Sequence, residues 1–419
     1  MTDRSLRSLL VGGSLGVAAL QAAARALGFV TTLVLAALVG ARGYGTYAWA
    51  IACVAVLRIP AGAGRDRLLV REVARGAPSA VLRDSARAIA LASLVLTGGG
   101  LAVASLLDER LGSALAVALL LLPLAAALGA AQGALQGLQR LVAALAPDAL
   151  LRPLIFLALV SIFAASASAE TVLLLQAVST LAALLVTLWL VRHHLPLTGH
   201  ETPQRSWNRS GLTIALNSGL AVVCQRIDVI LVGLMLGATD AGIYALASAA
   251  ASLASLPAVA VTTPLSPAVA RLHSGGEHRR LARAIAGATR WTFGVTAVGA
   301  ATLALSARFG LGLVGHVFER GAGPLALLCG AAVISAAFTA NNVTLLMTGE
   351  ERAATQATAL GAAVTAAGAA AVIPVWGLNG AAIGVLGGTL ARNVLASRFT
   401  RTRLGLETTL WSRPVEMAS

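Results

Sequence analysis

The sequence predicts an all-α integral membrane protein with about twelve transmembrane helices. They fall into two six-helix bundles related by a pseudo-twofold axis along the membrane normal. Three observations carry this expectation. Hydrophobic residues fill 58% of the 419 positions and charged residues only 11%, with a mean hydropathy of +0.83; soluble domains run at about 45–50% and about 25%. Apolar runs of the length a helix needs to cross a bilayer, about 20 residues, recur along the whole chain. A motif following the first run, "GARGYGTYAWA" (Gly40–Ala50), returns 197 positions later as "GATDAGIYALA" (Gly237–Ala247).

Taken in order, the apolar runs place spans near 10–39, 44–63, 84–107, 112–135, 147–168 and 171–191. The polar connector "RHHLPLTGHETPQRSWNR", Arg192 to Arg209, follows. Six more spans come near 211–236, 241–265, 285–307, 323–346, 355–375 and 378–398. The division expected from this is 1–199 for the N-terminal bundle and 200–419 for the C-terminal bundle, the latter ending in a basic cytoplasmic tail. Arg4 and Arg7 ahead of an apolar stretch resemble the start of a signal peptide. Gln21 and Arg25 interrupt that stretch and the apolar run resumes to Val39, so an uncleaved first helix is expected.

All the positive charge is arginine, and the sequence holds no lysine. The arginines concentrate in alternate loops, among them Arg65, Arg67, Arg83, Arg279, Arg280 and Arg352, whereas the opposite loops carry acids such as Asp108, Glu170 and Glu319. By the positive-inside rule both termini are cytoplasmic. The same topology accounts for the net charge of +14 without nucleic acid, since no basic stripe with interleaved aromatics is present.

The repeated motif is read as a duplicated six-helix unit. Gly40 and Gly237 stop the first span of each half, Gly45 and Gly242 allow close approach on re-entry, and Tyr47 and Tyr244 sit at the membrane interface. Pro60 and Pro257 share the 197-residue offset and are read as kinks, and "GLQR" (Gly137–Arg140) is echoed by "GEER" (Gly349–Arg352). Because six is even, both copies run in the same direction, and substrate sites in such architectures lie between repeats near the bilayer midplane. Two segments, Gly64–Gly76 and Ser266–Ile285, have amphipathic spacing. Each reads either as a surface helix on anionic lipid or as an ordinary basic loop.

Charge inside a span costs about 2.5–3.5 kcal/mol at a helix centre on insertion scales, so each instance needs a reason. Arg25, Arg58, Arg226 and Asp228 are the candidates. Subtracting the repeat offset maps Arg226 to position 29, one helical turn beyond Arg25, with Gln21 one turn before it on the same face. Such a face suits an anion such as pyrophosphate, which guanidinium groups bind in bidentate fashion. The alternative is an ion pair between Asp228 and Arg25. Arg58 lies where it can also snorkel to the inner surface. Asp148 and Arg152, one turn apart, read as a salt bridge. Asn341 and Asn342 read either as ligand contacts or as interhelical hydrogen bonds.

The remaining chemistry is sparse. Cys53, Cys224 and Cys329 lie in apolar runs without a pairing pattern, and the six histidines are assigned to loops without metal-ligand spacing. "TGGGLA" falls inside a span and is helix packing rather than a phosphate loop. No nucleophile–base pair or carboxylate dyad is seen, so no enzyme activity, cofactor or metal is expected.

"LVGARGYGTYA", "LQGLQR", "RIDVILVGLMLGATDAGIYALA" (Arg226–Ala247) and "VIPVWGLNGAAIG" (Val372–Gly384) together resemble polysaccharide and lipid-linked oligosaccharide flippases of the Wzx type. That superfamily also holds MATE antiporters and lipid II flippases. The resemblance implies a multi-pass protein of the bacterial inner membrane. It would move a polyprenyl-pyrophosphate-linked oligosaccharide from the cytoplasmic to the outer leaflet by alternating access, for polysaccharide biosynthesis and export. Substrate-binding residues are then Arg25, Arg226, Asp228, Gln21 and Arg58. The partners implied are the lipid-linked anionic glycan, membrane lipid and glycan polymerase or assembly proteins. Two other readings stand beside it: a MATE-like cation-coupled exporter of small molecules, which needs buried carboxylates, and a non-transporting scaffold for glycan assembly.

Overall fold

The computed structural model describes residues 3–62, 64–74, 78–163, 168–194, 209–275 and 277–404, and every regular element among them is helical. In chain order these are α1 (Asp3–Gly62), α2 (Arg65–Ala74), α3 (Pro78–Ala104), α4 (Glu109–Ala118), α5 (Leu121–Gly137), α6 (Leu141–Ala146), α7 (Arg152–Phe163) and α8 (Ala169–His194). They continue as α9 (Arg209–Leu236), α10 (Ala238–Ala254), α11 (Leu256–Ser274), α12 (His278–Leu305), α13 (Ala307–Gly312), α14 (Ala322–Ala336), α15 (Asn341–Met347), α16 (Glu351–Trp376) and α17 (Leu378–Leu404). A π-helical turn, Pro147–Leu151, joins α6 to α7, and a short 3-10 turn, His316–Gly321, precedes α14.

The helices follow the expected spans in order. Among the described residues eight segments are long and apolar enough to cross a membrane, or nine if the bent pair α10–α11 counts as one. That count takes α1 whole, although non-helical geometry at Gly40 (φ 72°, ψ 172°) divides it at the expected boundary of the first two spans. The other shortfall is in α12 and α17, whose lengths suffice but whose apolar character is diluted by Arg290 in one and by Arg392 and Asn393 in the other.

The chain packs as two compact units. One takes the chain up to Arg25, Val223–Met235 and everything from Ile243 onward; the other takes Ala26–Val222 and Leu236–Gly242. In the first unit α17 lies along α16 through a ladder of small residues. A Cβ on Gly380 would meet the Val372 carbonyl at 2.5 Å, and one on Gly384 would meet the Ala369 nitrogen at 2.5 Å. One on Gly388 would collide with Thr365. This is the small-xxx-small packing by which membrane helices, lacking a hydrophobic drive between them, gain van der Waals contact.

In the second unit the core runs through Trp49, Leu69, Leu119, Leu122, Leu135 and Leu173, all at most 2% exposed. Here α2 corrects the surface-helix reading of Gly64–Gly76. It packs on α5, where a Cβ at Gly133 would strike the Asp66 carbonyl and one at Gly137 would lie 2.7 Å from the Val70 carbonyl. Leu69 and Val73 are buried, so the apolar stripe is covered by protein rather than by lipid. The segment Ser266–Ile285 is no separate surface helix either: it is the end of α11 and the start of α12.

The repeated motif builds one joint, entirely inside the second unit. Gly40 and Gly237 (φ 91°) both hold backbone conformations that side chains disfavour. Beyond them, a Cβ on Gly45 would run into the Ala238 carbonyl, and one on Gly242 would run into the Ala41 carbonyl and approach the Gly45 nitrogen at 2.9 Å. Ala41 and Ala238 are themselves related by the 197-residue offset, so the two copies cross reciprocally, backbone to backbone. The second echo aligns differently from the reading above. Arg140 N–H bonds the Leu135 carbonyl and Glu350 N–H the Leu345 carbonyl, both at helix ends. The residues with positive φ are Gln139 (59°) and Gly349 (85°), so Gln139, not Gly137, is the counterpart of Gly349.

Candidate functional site

The residues singled out from the sequence fall in two places. Gln21, Arg25, Arg226 and Asp228 belong to the first unit and Arg58 to the second. In the first unit the Arg25 guanidinium donates to Ser255 Oγ at 2.7 Å. Ser255 is the break between α10 and α11, where the chain bends by 45°. Pro257, two residues on, has no N–H to continue the ladder. Ser255 Oγ also donates back to the Ser252 carbonyl at 2.7 Å, so Arg25 from the first span touches the hydroxyl that bonds the last turn of α10. Pro60 differs from its counterpart: it lies in the last turn of α1, two residues before the helix ends.

Asp228 is 3% exposed. Its Oδ1 accepts from the Val229 N–H at 2.8 Å and its Oδ2 from the Tyr244 hydroxyl at 3.0 Å. This answers the question of its partner. Among the described residues Arg25 and Arg226 make no ion pair within 4 Å, and the carboxylate is bonded to a phenol instead, with Arg226 as an electrostatic neighbour. Tyr244 is fully buried, which corrects its expected place at the membrane interface. Tyr47, half-buried, likewise turns inward: its hydroxyl donates to Gln176 Oε1 at 3.2 Å and its ring stacks on Phe156 at 6.0 Å. Arg226 is exposed and carries no hydrogen bond among the described residues, and Gln21 is half-buried.

In the second unit Arg58 is exposed. Its guanidinium lies over Gly129 of α5, 3.7 Å from where a Cβ would stand. It is an electrostatic neighbour of Asp148. Asp148 sits in the π-helical turn and accepts from Arg152 Nε at 2.6 Å, so the salt bridge expected from their spacing is present. Asn341, buried at 1% exposure, donates to the Asn393 carbonyl across helices at 3.3 Å, the interhelical bond of the two readings, whereas Asn342 is exposed.

A family model for polysaccharide biosynthesis proteins matches residues 10–273, more than half of the chain. The chain belongs to the polysaccharide biosynthesis protein family. No curated protein matches it. Among solved structures it is similar to MATE in complex with MaD3S, at 16% identity and TM-score 0.68, covering 95% of this chain and 98% of that one. It is also similar to the inward-facing conformation of a multidrug resistance MATE family transporter of the MOP superfamily, at 16% identity and TM-score 0.65, covering 95% and 94%. The outward-facing conformation of such a transporter matches at 15% identity and TM-score 0.63, covering 94% and 95%. At these identities the likeness establishes the fold, and that fold agrees with the helix order above.

Sequence reading missed one member of the polar set in this family member. Arg392, half-buried on α17, lies inside the twelfth predicted span, yet the run around it is so rich in Gly and Ala that attention goes to packing. Its position within the span is the signal that marks it. The histidines also move: His193 and His194 close α8, His273 lies in α11 and His278 opens α12, rather than standing in loops. His200 lies outside the described residues. Among the described residues no group of three or more His, Cys, Asp or Glu side chains is placed to hold a metal ion.

Proposed function

We propose that the protein flips a polyprenyl-pyrophosphate-linked oligosaccharide from the cytoplasmic to the outer leaflet of the bacterial inner membrane by alternating access. Both termini are cytoplasmic in this reading. The observation that supports it is the state of the intramembrane charges. Among the described residues Arg25 is bonded only to a neutral serine and Arg226 has no hydrogen-bond partner. The nearby carboxylate, Asp228, is committed to Tyr244 and Val229. Guanidinium groups kept inside spans at such cost, without a bonded carboxylate, suit a substrate that brings its own negative charge.

The position of Arg25 suggests how binding is coupled to movement. A pyrophosphate oxygen is a stronger partner for a guanidinium than a neutral hydroxyl. Substrate that takes Arg25 away from Ser255 therefore removes the contact between the first span and the α10–α11 bend. Asp228 acts in this reading by positioning α9 against α10 through Tyr244, while Gln21 in the first unit and Arg58 in the second are further candidates for substrate contact, each within its own unit. That transporters of the same fold are known in inward-facing and outward-facing conformations supports alternating access. The inside-negative potential favours outward movement of negative charge by about 2.3 kcal/mol per charge per 100 mV.

A MATE-like exporter of small molecules is the second reading, favoured by the fold likeness. It needs a titrating carboxylate, for which Asp228 is the available group. The test is the leaflet location of lipid-linked glycan in cells lacking the protein, read with a membrane-impermeant glycan-modifying probe. Cells are complemented with wild type or with Arg25→Ala plus Arg226→Ala. Glycan held inside without the protein, and not released by the double variant at normal membrane levels, is the expected result. Glycan reaching the outer leaflet regardless sinks the proposal and returns the exporter or scaffold reading.

A further inference from the structure

We propose that Arg392 is a further anion-binding group of this protein, forming with α9 a subsite for the diphosphate of the substrate. The inference rests on the lipid-linked pyrophosphate reading above. It starts from where Arg392 stands. It lies 14 residues from Leu378 and 12 from Leu404 in α17, which is roughly 21 Å and 18 Å at 1.5 Å per residue. The expected span closes near position 398, six residues or roughly 9 Å away. A helical side chain, however, leans toward the N-terminus of its helix, here away from that nearer edge, so the geometry of α17 draws the charge into the span rather than out of it.

Its surroundings then matter. The stem crosses α16 at Gly361, where an added Cβ would come within 2.8 Å of Arg392 Cβ. A glycine therefore makes the room in which the arginine lies. On the side of α9 its electrostatic neighbour is Cys224. That thiol is half-buried and donates to the Thr358 carbonyl of α16 at 3.7 Å. The guanidinium itself has no hydrogen bond and no ion pair among the described residues. An intramembrane cation at this depth is expensive unless a partner completes it, and among the described residues none bonds to it.

The sequence of α9 shows what is near. Cys224 and Asp228 are one turn apart and Arg226 lies between them. Asp228 is already bonded to Tyr244 and Val229, so it is not free to neutralise Arg392. The group that fits is a multiply charged phosphate oxyanion, whose oxygens accept the planar guanidinium fork in bidentate fashion. A lipid-borne diphosphate and a free one share that chemistry.

The experiment uses the full chain in lipid nanodiscs, with polyprenyl pyrophosphate, neutral polyprenol and inorganic pyrophosphate as probes. Arg392→Gln should weaken binding of polyprenyl pyrophosphate at least tenfold, Arg392→Lys should recover part of the loss, and polyprenol should be unaffected. In a Cys53→Ala, Cys329→Ala background, polyprenyl pyrophosphate but not polyprenol should slow alkylation of Cys224. That readout keeps Arg392 in place and so does not depend on how the variants fold. If inorganic pyrophosphate protects Cys224 equally well, the subsite stands and its ligand is a free anion. If Arg392→Gln binds like wild type and Cys224 is not protected, while Arg25→Ala plus Arg226→Ala abolishes binding, the Arg392 proposal is overturned and the flippase reading survives. If wild type binds neither diphosphate, both fall.

Discussion

The two copies of the repeated motif share a backbone and differ in their polar anchors. Each ends a span at a glycine with positive φ, Gly40 and Gly237, and each presents a glycine to the other across the same joint. Seven residues beyond Gly40 and Gly237, the tyrosines part company. Tyr47 donates to a neutral amide, Gln176, and stacks on Phe156; Tyr244 donates to a carboxylate, Asp228, with no exposed surface at all. The joint has been kept because backbone contact tolerates only glycine and alanine. The anchors were free to diverge, because any acceptor holds a tyrosine, and the copy that took a carboxylate is the one beside Arg226.

The largest expected effect comes from breaking the shared part. Gly45→Leu or Gly242→Leu drives side-chain atoms into a carbonyl of the facing copy, and neither backbone has room to yield. Overpacking of this sort costs about 1–3 kcal/mol or more, so thermal melting in detergent should fall by several degrees or the protein should fail to accumulate. Gly28→Leu, at a position with nothing within 4 Å of an added Cβ, is the control and should behave as wild type. Equal losses at Gly28 and Gly45 would contradict the reciprocal joint.

Next in size is the elbow itself. Gly40→Ala forces a side chain into a conformation that costs about 1–3 kcal/mol, without any steric clash. Its melting loss should therefore be matched by Gly40→Ser rather than growing with side-chain volume. A loss that scales with volume would point to packing instead.

The anchors separate the copies. Tyr244→Phe removes a hydrogen bond to a buried carboxylate, a bond worth about 1.5–3 kcal/mol, whereas Tyr47→Phe removes a neutral one worth about 0.5–1.5 kcal/mol. The melting shift should be larger for Tyr244→Phe, and Asp228→Asn should recover part of it in the double variant. Equal shifts would mean that the carboxylate adds nothing. The smallest effect is expected at the Asp148–Arg152 pair, whose side chains are about a third exposed. Arg152→Ala should cost no more than about 1 kcal/mol.

Much of this was legible in the chain because it depends on residue type alone. Gly40 and Gly237 are read as helix stops since few other residues tolerate their φ, and Asp148 and Arg152 are read as a pair since a helix puts i and i+4 on one face. What stayed hidden depends on partners supplied by distant helices. The stripe on α2 looks the same whether lipid or α5 covers it, and only Gly133 and Gly137, far along the chain, decide. Asp228 offers an acceptor that Arg25 or Tyr244 could equally claim from spacing; burial of Tyr244 settles the choice. Arg392 was masked by the glycines and alanines around it, the same residues that give it room.

In the proposed function, intramembrane guanidinium groups carry an anionic lipid-linked glycan. The most direct test is flipping by the purified protein in proteoliposomes, using a polyprenyl-pyrophosphate-linked sugar read by an impermeant probe. Wild type is compared with Arg25→Ala plus Arg226→Ala at matched reconstitution and melting temperature. Wild type is expected to expose the sugar at least tenfold faster than the double variant. Equal rates for the two, or no exposure above protein-free liposomes, would contradict it.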